Sequence, residues 1–289
     1  MKTLKPYLMV LPMLVFLVGI FLLGLVLGLV ESLGYFPAIG LHSFTLEFYK
    51  KIFHDPTVLQ SLKFSLYTAL TSSVLSAAFG VLLSWLILKT NRRRGRPLPG
   101  VYRTPIYVPH VIVAPFIFVL FTQSGLLARL LYHMGLLSSM EAFPKLIFDK
   151  AGVGIILAYL WKELPFMTYV TYDVFRTLDD RYDAIAGSLG AGPWQKVRYI
   201  YLPQIWPAIT SGFVMIFSYA FGSYEVPLLL GPTMPRALPV LSYIYYSSVD
   251  LREHVYAMAC NMVIVVVILL TLGLGKLLEK AIRKAGGLT

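Results

Sequence analysis

The sequence predicts an all-α, polytopic membrane protein with six transmembrane helices, and three observations carry that prediction. Hydrophobic residues make up 57% of the 289-residue chain and charged residues only 13%, about half the charge of an ordinary soluble domain. Mean hydropathy is +0.72. The apolar residues gather in six runs, each long enough to cross a bilayer as a helix of about 20 residues. Lipid offers the backbone no hydrogen-bond partners, so a helix is the natural form for each run. No long polar segment is left for a soluble module, and residues 1–289 read as a single integral membrane domain.

The first span covers about Tyr7 to Val30, after Lys2 and Lys5. A signal peptide also starts basic and apolar, but its apolar region is about 7–15 residues and ends at a small-residue cleavage site. This run is longer and lacks that site, so it reads as a retained helix. The second span runs from about Ser61 to Leu88 and the third from about Thr104 to Phe121. The fourth covers about Gly152 to Tyr172, the fifth about Ile205 to Phe221 and the sixth about Val255 to Leu278. Two connecting loops hold short amphipathic stretches, Phe44 to Phe53 and Gly125 to Leu136. The second of these aligns Leu126, Leu127, Leu130, Leu131 and Met134 on one face. Both read as helices lying at the outer membrane interface.

Charge sets the orientation. The formal net charge is +11. On a soluble chain that excess would suggest nucleic acid, but on a membrane chain it marks the cytoplasmic loops. With the N-terminus inside, 16 of the 25 Lys and Arg residues fall on the cytoplasmic side and seven outside, while Lys63 and Lys162 lie within spans. Both termini are therefore expected in the cytoplasm, and the basic tract from Lys89 to Arg96 reads as a topology anchor rather than a nucleic-acid patch.

Most enzyme chemistry is excluded. Gly275-Lys276 is followed by Leu277, so no Walker-type phosphate loop is present, and neither H-E-x-x-H nor G-x-S-x-G occurs. The five His residues lack metal-ligand spacing, and a single cysteine, Cys260, rules out a disulfide framework. No catalytic, cofactor-binding or metal-binding residue is expected. The run Gly187 to Gly192 has its glycines in the wrong order for a dinucleotide loop. No inverted repeat pairs three spans with three others, which weakens a secondary-transporter reading. Deep charges are few: Lys162 and Glu163 in the fourth span, and Glu225 near the outer end of the fifth. Lys162 and Glu163 are adjacent and so point to different faces. All three are candidates for a solute path, with structural contacts as the alternative. Pro165 just beyond them would kink the span and free backbone carbonyls. Tyr243, Tyr245 and Tyr246 suit an interfacial aromatic belt or, alternatively, a docking surface.

The longest cytoplasmic loop, Asp173 to Gln204, is the most informative segment. Asp179-Asp180 would cap a short helix running from about Arg181 to Leu189. Gly190 suits the left-handed position that ends it, and Pro193 suits the first turn of a second helix reaching about Tyr201. Leu202-Pro203 would break that helix and start the next. Ala184, Gly187, Ser188 and Ala191 fall at i, i+3, i+4 and i+7, a stripe almost without bulk. The opposite face, Tyr182, Ile185, Ala186 and Leu189, is expected to pack on the chain's own spans. The bare stripe could admit another protein's surface; the alternative is a tight turn folded against the membrane domain.

The stretch from Asp183 to Pro203 resembles the EAA loop of permease subunits of binding-protein-dependent ABC importers. That pattern runs E-A-A, three residues, G, about nine residues, then I-x-L-P. Ala186, Gly190, Ile200, Leu202 and Pro203 fall on it. The family's glutamate position is Ala184 and its first alanine is Ile185, with Asp183 alongside. Phe44 to Phe53, Trp161 to Phe166 and Phe221 to Gly231 also resemble the family, closest to its polyamine, iron and phosphonate type. The resemblance implies a type I importer permease fold, with a core permease domain at 60–278 and a coupling loop at 176–207. It also implies a multi-pass protein of the bacterial cytoplasmic (inner) membrane that forms half of a solute pathway. Asp183, Ala184, Ala186, Gly187, Ser188, Leu189, Gly190 and Ala191 would dock on a separate cytoplasmic ATP-binding subunit, present in two copies. The implied partners also include a second permease subunit (a copy or a homologue), an extracytoplasmic solute-binding protein and membrane lipid. The expected solute is a small polar molecule such as a polyamine. A stand-alone secondary transporter or channel is the alternative function.

Overall fold

The computed structural model describes residues 5–92, 100–177 and 180–285. Among the described residues there are thirteen α-helices and no strand. They are α1 (Lys5–Ser32), α2 (Glu47–His54), α3 (Pro56–Arg92), α4 (Thr104–Tyr107), α5 (His110–Phe121), α6 (Leu126–His133) and α7 (Val153–Thr177). The remainder are α8 (Asp180–Ser188), α9 (Pro193–Lys196), α10 (Leu202–Gly222), α11 (Glu225–Leu230), α12 (Leu238–Tyr246) and α13 (Arg252–Ala285).

Among the described residues, six segments are long and apolar enough to cross a membrane: Leu8–Ser32, Pro56–Thr90, His110–His133, Val153–Thr177, Pro193–Gly222 and Arg252–Ile282. The six expected spans are all present, and their ends differ for local reasons. The second starts five residues early because Asp55 Oδ1 accepts the Thr57 N–H at 2.8 Å and Pro56 opens the first turn. The third is not one helix: it breaks between α4 and α5, where Pro109 stands just ahead of His110. The fifth begins at Pro193 rather than Ile205. The break expected at Leu202-Pro203 is absent, because residues Val197–Tyr201 widen into a π-turn and the Leu202 N–H reaches back five residues to Val197 O. The added residue lets a helix run through a proline that donates no hydrogen bond. Both amphipathic loop stretches do form helices, as α2 and α6. The tyrosines expected at the end of the sixth span lie instead on the separate helix α12. In the basic tract, the residues from Arg93 to Arg96 lie outside the described residues.

The chain divides into two compact units. The smaller comprises residues 1–60 and 238–266. In it, Gly28 of α1 lies where an added Cβ would sit 3.4 Å from Met262, so α1 and α13 approach through a residue without bulk. Ser32 Oγ and Tyr49 Oη are 2.7 Å apart, joining α1 to α2, and Phe48 meets the edge of the Tyr256 ring at 5.2 Å. The Ser242 hydroxyl donates to Asn261 Oδ1 at 2.7 Å, fastening α12 to α13. Most of α1 is exposed and apolar, as a lipid-facing helix must be; Met9, Phe16 and Phe21 are 74%, 66% and 69% exposed.

The larger unit comprises residues 61–237 and 267–289. Its α3 carries Ser61, Ser65, Thr68, Ser72, Ser73, Ser76 and Ser84, all buried. Small polar residues on one face allow close helix approach in lipid, where burial of apolar surface drives nothing. The Thr171 hydroxyl of α7 donates to Ser84 Oγ at 3.0 Å. Met167 of α7 is fully buried between two glycines. A Cβ on Gly80 would fall 2.7 Å from Met167 Cβ, and one on Gly212 would fall 2.9 Å from its Cε. One thioether therefore wedges α3, α7 and α10 together.

Candidate functional site

Two sites follow from the residues singled out by sequence. The first is α8 and its turn. Gly190 has φ +78°, the left-handed conformation that glycine adopts freely. Its N–H donates to Gly187 O at 3.1 Å, and the Ala191 N–H to Ala186 O at 2.9 Å. This pair of bonds closes the helix as a Schellman turn. The Gly192 N–H donates to Gln195 Oε1 at 2.8 Å, and Pro193 begins α9 as expected. The helix starts at Asp180; Asp179 and the side chains of Asp180 and Asp183 lie outside the described residues.

The face expected to pack is exposed as well. Tyr182, Ile185 and Leu189 do not pack on the chain's own spans; they are 54%, 57% and 82% exposed. The small stripe partly faces its own loop, since Lys196 Nζ lies 3.4 Å from where a Gly187 Cβ would be and Ala191 is partly buried. The physical reason is the turn at Gly190, which folds the following segment back along the bulk-free side. Ala184, Gly187 and Ser188 remain at the surface, and Ala186 is half-buried. The loop therefore offers an apolar edge, continued by an exposed Trp194, beside the small-residue stripe expected from the sequence.

The second site surrounds Lys162 and Glu163, which are buried near the middle of α7. They do not pair with each other. The Lys162 ammonium donates to Ile106 O at 2.9 Å and to Val108 O. Those carbonyls lie at the break ahead of α5, where Pro109 provides no N–H. Glu163 Oε1 accepts from His110 Nε2 at 2.8 Å. The His110 ring sits 3.9 Å from the Tyr219 ring of α10, and Tyr219 in turn meets Tyr159 edge-on at 6.3 Å. The Tyr159 hydroxyl donates to Ala220 O at 3.3 Å. Burying two charges in a low-dielectric interior is tolerable only when each finds such partners. Glu225 stands apart from these bonds in the first turn of α11, half-buried, where its charge complements the helix dipole.

Sequence reasoning missed His110, Tyr219 and Trp194. A buried glutamate requires a hydrogen-bond donor, and a histidine directly after a mid-span proline was the available signal. Among the described residues no group of three or more His, Cys, Asp or Glu side chains could hold a metal ion.

A family model for "binding-protein-dependent transport system inner membrane component" matches residues 76–284, well over half of the chain and including α8 and its turn. The chain belongs to that family. It is a multi-pass inner-membrane permease subunit of a binding-protein-dependent ABC importer. The molybdate/tungstate transport system permease protein of Pyrococcus abyssi is 28% identical over 81% of this chain and 83% of its own. The counterpart from Thermococcus kodakarensis is 26% identical over 79% and 81%. A probable sulfate transport system permease protein of Chlorella vulgaris is 22% identical over 75% and 78%. In fold, the permease resembles a chain of the bacterial alginate ABC transporter in complex with a periplasmic protein carrying alginate pentasaccharide (TM-score 0.74, 19% identity, covering 98% of both chains). It also resembles a chain of the inward-facing methionine transporter MetNI (TM-score 0.55, 15% identity, 79% of this chain and 99% of that one). The polyamine, iron and phosphonate type suggested by sequence is not the type these relatives support.

Proposed function

We propose that this permease forms half of the pathway of an ATP-driven importer for a small tetrahedral oxyanion of the sulfate or molybdate kind. In this reading it couples to the ATPase through α8. The observation that carries the coupling role is the exposed apolar face of Tyr182, Ile185 and Leu189 on a helix closed by the Gly190 turn. Exposed apolar side chains beside charged loops cost free energy unless a partner covers them. A short helix locked at its end by two backbone bonds also transmits displacement without fraying. The cytoplasmic ATP-binding subunits, a second permease subunit and an extracytoplasmic binding protein complete the assembly in this proposal. Asp183, Ala184, Ala186, Gly187, Ser188 and Ala191 then support the docking helix, and Ile185 and Leu189 enter the partner.

The solute assignment replaces the polyamine expectation and rests on the molybdate/tungstate and sulfate relatives. Lys162 and Glu163 act on the path by holding the broken third span, and Glu225 borders it. The positive end of α5 beside the middle of α7 suits an anion better than a polyamine cation.

The test is solute-dependent ATPase activity of the complex reconstituted with its binding protein. Sulfate, molybdate and tungstate are compared with spermidine, in wild type and in Ile185→Asp. The account expects stimulation by at least one oxyanion, none by spermidine, and loss of all stimulation in the variant. Stimulation by spermidine alone would overturn the solute assignment; an unaffected variant would overturn the coupling assignment.

A further inference from the structure

A second apolar feature lies in the larger unit, beginning at Trp194 where α8's exposed edge ends. A groove of about 430 Å³ opens between the C-terminal half of α3, the end of α7 and the segment from Pro193 into α10. Its walls include Ala78, Leu82, Trp85, Phe175, Trp194 and Val197. Phe175 and a second lining residue, Ile205, form a buried cluster with Leu88 and Tyr172. The volume is that of a small-molecule site.

Two basic residues flank the groove. Lys89 Nζ lies over the Trp85 ring, 5.4 Å from its centre, one turn beyond the apolar wall. Arg198 directly follows the lining residue Val197 and is exposed. None of the lining residues is acidic. A long apolar slot ending in a tryptophan and a lysine matches the two halves of a phospholipid: chain below, anionic headgroup above. We propose that this groove is a binding site for one acyl chain of an anionic phospholipid, its headgroup held by Lys89. The groove shares Trp194 with the apolar edge of the coupling loop, and the proposal does not depend on the solute assignment. Occupancy would fill space beside the segment that leads from α8 into α10, making the coupling loop's anchorage sensitive to lipid headgroup charge.

Two of the chain's four tryptophans, Trp85 and Trp194, line the groove and serve as reporters. The complete complex is reconstituted in vesicles of mixed phosphatidylglycerol and phosphatidylcholine, with bromine on the acyl chains of one lipid at a time. The groove signal is the fluorescence difference between wild type and the Trp85→Phe, Trp194→Phe double variant. Brominated phosphatidylglycerol is expected to quench it at a several-fold lower mole fraction than brominated phosphatidylcholine. Lys89→Gln is expected to remove that preference while leaving quenching by either lipid. Ala78→Phe, which fills an exposed wall position, is expected to abolish the preference by closing the slot. Equal quenching by the two lipids in wild type overturns the proposal. So does a signal that neither lipid quenches, which would mean that protein covers the groove in the assembled complex.

Discussion

Met167 shows what one side chain does in this bilayer-embedded core. It fills the space left by Gly80 and Gly212, so three spans meet at a single thioether. Gly80→Val would drive a branched side chain into Met167 Cβ and the Thr168 backbone. Such overpacking costs about 1–3 kcal/mol, and a lower thermal midpoint in detergent is the expected readout. Met167→Ala should cost about 2–5 kcal/mol by opening a cavity at the same point. Lys162 poses a different case, because its loss orphans two backbone carbonyls. Lys162→Met should destabilise by about 1–3 kcal/mol, whereas Glu163→Gln keeps a group able to bond His110 and should cost less. Two groups outside the spans set pH responses. Lys51, bonded to Glu47 at 2.8 Å, holds the Glu47 carboxyl below its ordinary value of 4.5. That pair therefore supports α2 above about pH 4.5 and is lost as pH falls through the lowered value. Burial, with Asp55 the nearest charge effect, pushes the Tyr245 phenol from 10.0 up to about 12. Its contribution is complete below pH 10 and disappears as pH rises through 12. Wild type should lose thermal stability more steeply than Tyr245→Phe across that interval; parallel curves would refute the assignment.

The helices were legible in the sequence, whereas their partners were not. Hydropathy marks each span because lipid penalises every unpaired backbone group and every stray charge. The Gly190 stop and the Pro193 start could be read because each residue has one dominant conformational use. The π-turn could not: whether a helix halts at Pro203 or widens to pass it depends on packing, not on local composition. The exposure of the bulky face of α8 was likewise hidden, since the following turn folds back on Gly187 through Lys196 and leaves Tyr182, Ile185 and Leu189 uncovered. The need of Glu163 for a donor could be read, but its pairing with His110 could not be fixed, because 53 residues separate them and no periodicity joins them. These elements make a prediction at their own scale. Gly190→Ala places a Cβ in open space but at φ +78°, so it should cost about 1 kcal/mol from backbone strain alone. Any resulting fall in coupling would come from a frayed α8 end, detectable as faster amide exchange at positions 190 and 191.

Across the whole molecule, the family match and the six spans agree on an importer permease, and the proposed oxyanion rests on what the relatives are named for rather than on composition. The net charge of +11 points to neither, because most of it sets topology. The central claim is that α8 inserts its apolar edge into an ATPase. The sole native cysteine, Cys260, is fully buried, so a single reporter thiol can be placed cleanly. In a Cys260→Ser background, Leu189→Cys is exposed to a membrane-impermeant maleimide, first in the isolated permease and then in the assembled complex. The account predicts rapid labelling of the permease alone, where position 189 is 82% exposed, and strong protection once the ATPase is bound. Equal labelling rates in the two states would contradict it.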